Sequence, residues 1–169
     1  MTPPGELTAQ PAAGPPQGGL APPVGSDPRS GGAWGFYVVL DTNIVLDLFV
    51  FSDPAVEPVQ AALQQGTLRW IATQAMRDEL VRVLAYPQIV KSLAHHQISA
   101  DQVLVRFDAQ AHLVALAPKA SVTCKDPDDQ KFIDLAVAHS AHLLSKDHAV
   151  LCMAKRLLAL GVLAQAAMK

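Results

Sequence analysis

The sequence predicts an α/β fold, a central and mainly parallel sheet with helices on both faces. Three observations carry this. Short apolar runs such as FYVVL and LRWIA are followed by stretches with helical spacing of apolar residues. The runs are apolar throughout rather than alternating, as expected of parallel strands buried on both faces. Half of the 169 residues are hydrophobic but only 5% are aromatic, which suits a Leu/Val/Ala core between helices and sheet.

Residues 1–33 stand apart. They hold eight of the thirteen prolines and seven of the ten glycines, with almost no large apolar side chain. Such a stretch buries too little surface to offset its ordering entropy and reads as a disordered tail. One domain is expected over 34–169. Its first strand runs Trp34–Leu40 and ends in Asp41-Thr42-Asn43. After IVLDLFVF, Ser52-Asp53-Pro54 is a helix entry, and Gly66 is a fitting C′ residue for that helix. Leu68–Ala72 is a second strand. Thr73 then opens a helix with Met76, Leu80, Val83 and Leu84 on one face, stopping near Tyr86-Pro87.

A short helix follows over Gln88–His96. Ser99 and Gln102 form a capping-box pattern for a helix expected to reach Ala117, with Pro118 ending it. Asp126-Pro127 opens a helix through Ala141, His142–Ser145 is a third strand, and Asp147 begins a helix ending at Gly161. A fourth strand starts at Val162.

In an open parallel sheet, ligands bind beyond the carboxyl ends of the strands. Asp41 follows the first strand and Asp147 the HLLS strand, so topology brings both to one edge. Glu79 lies on the helix after the second strand. Asp126, Asp128 and Asp129 open the helix leading into HLLS. Each acid also has a structural explanation: a turn cap for Asp41, a solvated charge for Glu79, favourable first-turn positions for the three aspartates, an N-cap for Asp147. Gathered carboxylates repel one another unless a cation neutralises them, and an all-oxygen cluster suits Mg²⁺ or Mn²⁺. Such ions lower the pKa of a water and stabilise in-line attack on phosphorus.

The net charge of −2 points to no polyanion partner, so any nucleic-acid binding must rest on a local basic rim or on metal. Lys125, Lys131 and Lys146 flank the acids, and Arg77 and Arg82 lie near Glu79. Lys125 and Lys146 are the candidate RNA contacts. Cys124 and Cys152 have no metal-site spacing and read as free thiols of a cytoplasmic protein. No apolar run approaches the ~18 residues of a membrane span, and the N-terminus carries no secretory pattern.

The ordered set VVLDTNIVLDLF, TQAMRDELVRVLAYP and CKDPDDQKFIDLAVAHSAHLLSKDHAVL resembles the PIN domain over residues 36–163. More narrowly, it is similar to the VapC-like toxin components of bacterial toxin–antitoxin pairs. The resemblance implies a three-layer α/β/α sandwich and a ribonuclease that uses Mg²⁺ or Mn²⁺. It implies Asp41, Glu79, Asp129 and Asp147 as catalytic metal acids, with Asp126 and Asp128 competing for the place of Asp129. Thr42, Asn43 and Ser145 are implied as residues that orient the acids through hydrogen bonds. An RNA substrate, an antitoxin protein and a homodimer are the implied partners.

Two other readings compete. A phosphatase of the haloacid-dehalogenase type also starts with a strand and an Asp, but needs an Asp where Asn43 stands. A catalytically silent PIN-like module would bind RNA or protein without cleaving; here all four acid positions are filled.

Overall fold

The computed structural model describes residues 36–168, so the tail expected over 1–33, and the first residues of the expected first strand, lie outside the described residues. Five parallel strands form the sheet: β1 (Phe36–Leu40), β2 (Leu68–Ala72), β3 (His112–Leu113), β4 (His142–Leu144) and β5 (Ala164–Gln165), in the order β3-β2-β1-β4-β5. The helices are α1 (Thr42–Leu46), α2 (Glu57–Gln65), α3 (Gln74–Leu84), α4 (Pro87–His95), α5 (Ala100–Gln110), α6 (Gln130–His139), α7 (His148–Leu151) and α8 (Ala154–Ala159). The expected α/β sandwich with a central parallel sheet is what forms.

The apolar strands are buried as their composition requires. Val38, Val39 and Leu40 of β1 and Leu143 and Leu144 of β4 are almost fully enclosed. Trp70 of β2 packs edge-on against Phe107 of α5 at 5.0 Å and tilted against Phe49 at 6.0 Å, which joins helix, sheet and the α1 region. Each large side chain so enclosed contributes roughly 1.5–3 kcal/mol of burial free energy. On the other flank α6 buries Phe132, Ile133, Leu135 and Ala136. The α6 register, and with it the start of the helix, is thereby set by core packing.

Local signals terminate the elements where expected. Gly66 closes α2 with a left-handed φ of 80°, and Gly161 takes φ 86° just after α8. The Ser99 hydroxyl accepts from the Gln102 N–H at 3.1 Å while the Gln102 side chain accepts from the Ser99 N–H at 2.8 Å, a complete capping box.

Three expectations need correction. The helix opened by Ser99 does not reach Ala117: α5 ends at Gln110, and His112–Leu113 becomes the fifth strand. The open edge of β2 explains this. It pairs with His112 and Leu113, and the Ala72 carbonyl accepts from the Val114 N–H at 2.8 Å, overriding the helix propensity of the Ala/Leu-rich stretch. The HLLS strand stops at Leu144, one residue short, because Ser145 turns into the site described below. Finally, three segments are broken: a 3-10 turn over Pro54–Val56 precedes α2, Asp126-Pro127 opens a 3-10 turn over Pro127–Asp129 before α6, and the helix begun by Asp147 divides into α7 and α8.

Candidate metal centre

Strand order already selects the place. The chain runs outward from β1 through β2 to β3 and then crosses back to β4 on the other side of β1, so the strand order reverses between β1 and β4 and their carboxyl ends flank a crevice. Buried polar side chains concentrate there. Asp41, Thr42, Asp47, Asp129 and Ser145 are all buried at or beside this edge; Thr73, after β2, is the other buried polar residue among those described.

Asp41 follows β1 directly, and its N–H continues the ladder to the Leu144 carbonyl at 2.9 Å. One of its carboxylate oxygens, Oδ1, accepts from the Thr42 N–H at 2.6 Å and so caps α1. The other, Oδ2, accepts from the Ser145 hydroxyl at 2.5 Å. Ser145, fully enclosed, accepts in turn from the Asp147 N–H at 3.0 Å. Asp147 caps α7 through the Ala149 N–H at 2.9 Å, which fixes its carboxylate at the β4 end.

Asp129 arrives from the opposite side. Asp126 uses its Oδ1 to accept from the Asp128 N–H at 2.9 Å, making it the cap of the 3-10 turn, and Asp128 is exposed. The turn delivers the third aspartate inward: Asp129 is buried and its Oδ2 has no partner among the described residues. Oxygens of Asp41, Asp129 and Asp147 lie within 4.8 Å of one another. The segment leading into this turn is itself pinned. Gln130 accepts from the Cys124 N–H at 2.6 Å and donates to the Val122 carbonyl, and Asp134 accepts from the Ala120 N–H.

The electrostatics follow from burial and crowding. Burial first, then contact with Asp147 and the charges of Asp41, Asp147 and Asp126, push the Asp129 carboxyl up to about 8. Burial also raises Asp41, against the hydrogen bonds from Ser145 and Thr42. Asp147 is held below the usual carboxylate range by its contact with Asp129 and by the Ala149 N–H. Without a cation the crowded carboxylates thus favour holding a proton, shared within the Asp129–Asp147 pair. A buried, unpartnered carboxylate oxygen facing two more carboxylates is what a hard divalent ion neutralises, and the three aspartates could hold one.

Glu79 is close but does not join this group. Its Oε2 accepts from the Thr42 hydroxyl at 2.5 Å, and its Oε1 pairs with the Lys131 ammonium at 2.5 Å. Of the residues expected to orient the acids, Thr42 bridges Asp41 to Glu79, Ser145 bridges Asp41 to Asp147, and Asn43 accepts from the Lys146 N–H at 3.5 Å.

Most basic neighbours are already engaged. Lys146 pairs with Asp47 at 2.6 Å, and Arg77 makes a two-pronged pair with Asp108 at 2.7 Å. Lys125 is exposed and has no ion pair among the described residues. The Cys124 thiol is buried and pushed up by that burial, which removes it as a nucleophile; Cys152 is also a free thiol. No helix among the described residues is long and apolar enough to cross a membrane.

Sequence reasoning misses Asp47, Gln130 and Asp134. Asp47 opens a π-helical turn, Asp47–Phe51, that no periodicity announces. Gln130 and Asp134 stand four apart on α6, a spacing that marks one helix face but not the loop they pin. Comparison with known families matches residues 37–149 to the family described as PIN domain, more than half of the chain. No curated protein matches it.

Proposed function

The chain belongs to the PIN domain family, whose members are generally nucleases, and from that premise we propose that it is a divalent-metal-dependent endoribonuclease. The observation that carries the proposal is the meeting of Asp41, Asp129 and Asp147, from three separate segments, around the unpartnered Oδ2 of Asp129. Such an arrangement is unfavourable without a cation and serves no packing purpose, since apolar residues of similar size would fill the crevice at lower cost.

In this reading Asp41, Asp129 and Asp147 hold Mg²⁺ or Mn²⁺. A divalent ion there supplies positive charge to a phosphodiester and lowers the pKa of a coordinated water. The protein's own part is positional. Ser145 and the Thr42 N–H lock both oxygens of Asp41, and α7 locks Asp147. The Asp129–Asp147 pair has to release its proton before both serve as ligands. Glu79 belongs to the catalytic set through Thr42, as a residue that positions rather than binds. Lys125, exposed beside the turn, meets the phosphate backbone, and Lys146 does so only by leaving Asp47.

The toxin reading is finer and rests on the resemblance to VapC-like chains. It makes the protein the cytoplasmic toxin of a type II pair, with an antitoxin segment covering the metal edge and a homodimer as the working unit. Purified protein should cleave single-stranded RNA with Mg²⁺ or Mn²⁺, stop on chelation, and lose cleavage on Asp41→Asn. Undiminished cleavage in that variant would overturn the assignment. Induced expression should arrest growth only when the metal site is intact; harmless expression of an active nuclease would remove the toxin role alone.

A further inference from the structure

Glu79 is an acid at a metal site that already has a cation. Its partner Lys131 stands two residues beyond Asp129, in the first turn of α6, and that turn is anchored by the fully buried Phe132 and Ile133. Both side chains of the pair are only 19% exposed, so the pair is sheltered from most solvent screening. Both oxygens of Glu79 are used, one by the Lys131 ammonium and one by the Thr42 hydroxyl. The ammonium is held from a second direction by the Asp128 carbonyl. An ammonium carries three hydrogens, and among the described residues only these two oxygens accept from it.

Phosphodiester-cleaving sites with two divalent ions place them about 3.5–4 Å apart, clamping the attacking and leaving oxygens. A second ion needs free carboxylate oxygens beside the first. Of the further acids in electrostatic reach, Glu79 acts on Asp41 yet has no oxygen free, and Asp126 acts on Asp129 but commits one oxygen to capping the 3-10 turn. We propose that Lys131 takes the place of a second ion: its ammonium, fixed by Glu79 and the Asp128 carbonyl, is the standing positive charge on that side. The protein then takes one divalent ion, on Asp41, Asp129 and Asp147. The remaining hydrogen of the ammonium meets a non-bridging oxygen of the nucleic-acid phosphodiester.

This rests on the metal-dependent reading above, and counting bound ions separates the two. Mn²⁺ titration of the full chain, followed by calorimetry and by the spin resonance of free Mn²⁺, should show one ion per chain. Lys131→Gln frees Glu79 and should raise the count to two; the double variant Lys131→Gln with Glu79→Gln should return it to one. Lys125→Gln, which removes an exposed lysine of the same flank, should leave the count at one. Two ions in the unaltered protein, or one in Lys131→Gln, would overturn the role of Lys131 while sparing the metal-dependent reading. No ion bound in the unaltered protein would overturn both. Should Lys131→Gln fail to fold, Glu79→Gln alone decides: one ion retained supports the proposal, and none bound places Glu79 among the ligands and rejects it.

Discussion

The two flanks of the crevice are built on opposite electrostatic terms. On the β1–β4 side, Asp41, Asp129 and Asp147 face one another, with hydrogen-bond donors behind Asp41 and Asp147 and none to the Oδ2 of Asp129 among the described residues. On the α3–α6 side, Glu79 and Lys131 form a finished ion pair, and Lys146 likewise answers the buried Asp47. Around the crevice, Glu79 and Asp47 are thus each balanced by a lysine, while the three aspartates that converge are not. The imbalance is local, so a protein of net charge −2 still concentrates negative charge at this one edge.

The largest effect should come from breaking the unbalanced side. Asp129→Asn removes a ligand and the buried group that would ionise as pH rises, so cleavage should fall to background while the cation-free protein melts no lower, and higher above neutral pH. The sign follows from the raised carboxyl. A group bound to its proton more tightly in the folded state contributes stability at low pH that is lost as pH rises from about 4 toward about 8. Thermal melts at pH 5 and pH 8.5 should therefore show the unaltered, metal-free protein weaker at the higher pH, and Mn²⁺ should remove the difference. Asp147, held low, works in the opposite sense but only below the ordinary carboxylate range. Metal-free melts that do not change across this window in the unaltered protein would contradict the picture.

A smaller loss is expected from Ser145→Ala. The hydroxyl ties Asp41 to the Asp147 backbone without touching the ion, and removing such an orienting partner typically costs about 10–100-fold in metal affinity or activity. Mn²⁺ affinity measured by calorimetry should fall within that range, with the melting temperature in metal-free buffer lowered only modestly. An unchanged affinity would mean that Thr42 alone suffices to hold Asp41.

The same contrast explains what could be read from the chain in advance. Asp41 and Asp147 are legible because each directly follows an apolar strand, and parallel strands expose their carboxyl ends on one edge. The choice of Asp129 has a local signal too: an aspartate before Pro127 is placed to cap, which commits the Asp126 side chain to the Asp128 N–H. The engagement of Glu79 is not legible, since Lys131 lies 52 positions away and reaches it only through the tertiary fold. Strand β3 is hidden for a related reason. The residues of His112–Leu113 favour a helix, and only the unpaired edge of β2 redirects them. Short-range rules therefore recover the unbalanced acids, and tertiary docking decides which acids are balanced.

The finest distinction concerns the two lysines expected at the RNA. Lys125 is exposed with no ion pair among the described residues, so Lys125→Glu should leave stability unchanged and weaken RNA binding. Removing one phosphate-neutralising charge flattens the dependence of binding on salt by about 0.7 in the log–log slope for single strands. Lys146→Glu should do something different, because Lys146 is the partner of Asp47, which is only 7% exposed at its side chain. Reversal there sets two carboxylates against each other at the end of α1, and the protein should melt several degrees lower even without RNA. Binding isotherms over a salt series, read beside thermal melts, separate the two. Equal melting of both variants would show that the Asp47 pair contributes nothing to the fold, and an unchanged salt slope in Lys125→Glu would remove that lysine from the path of the RNA.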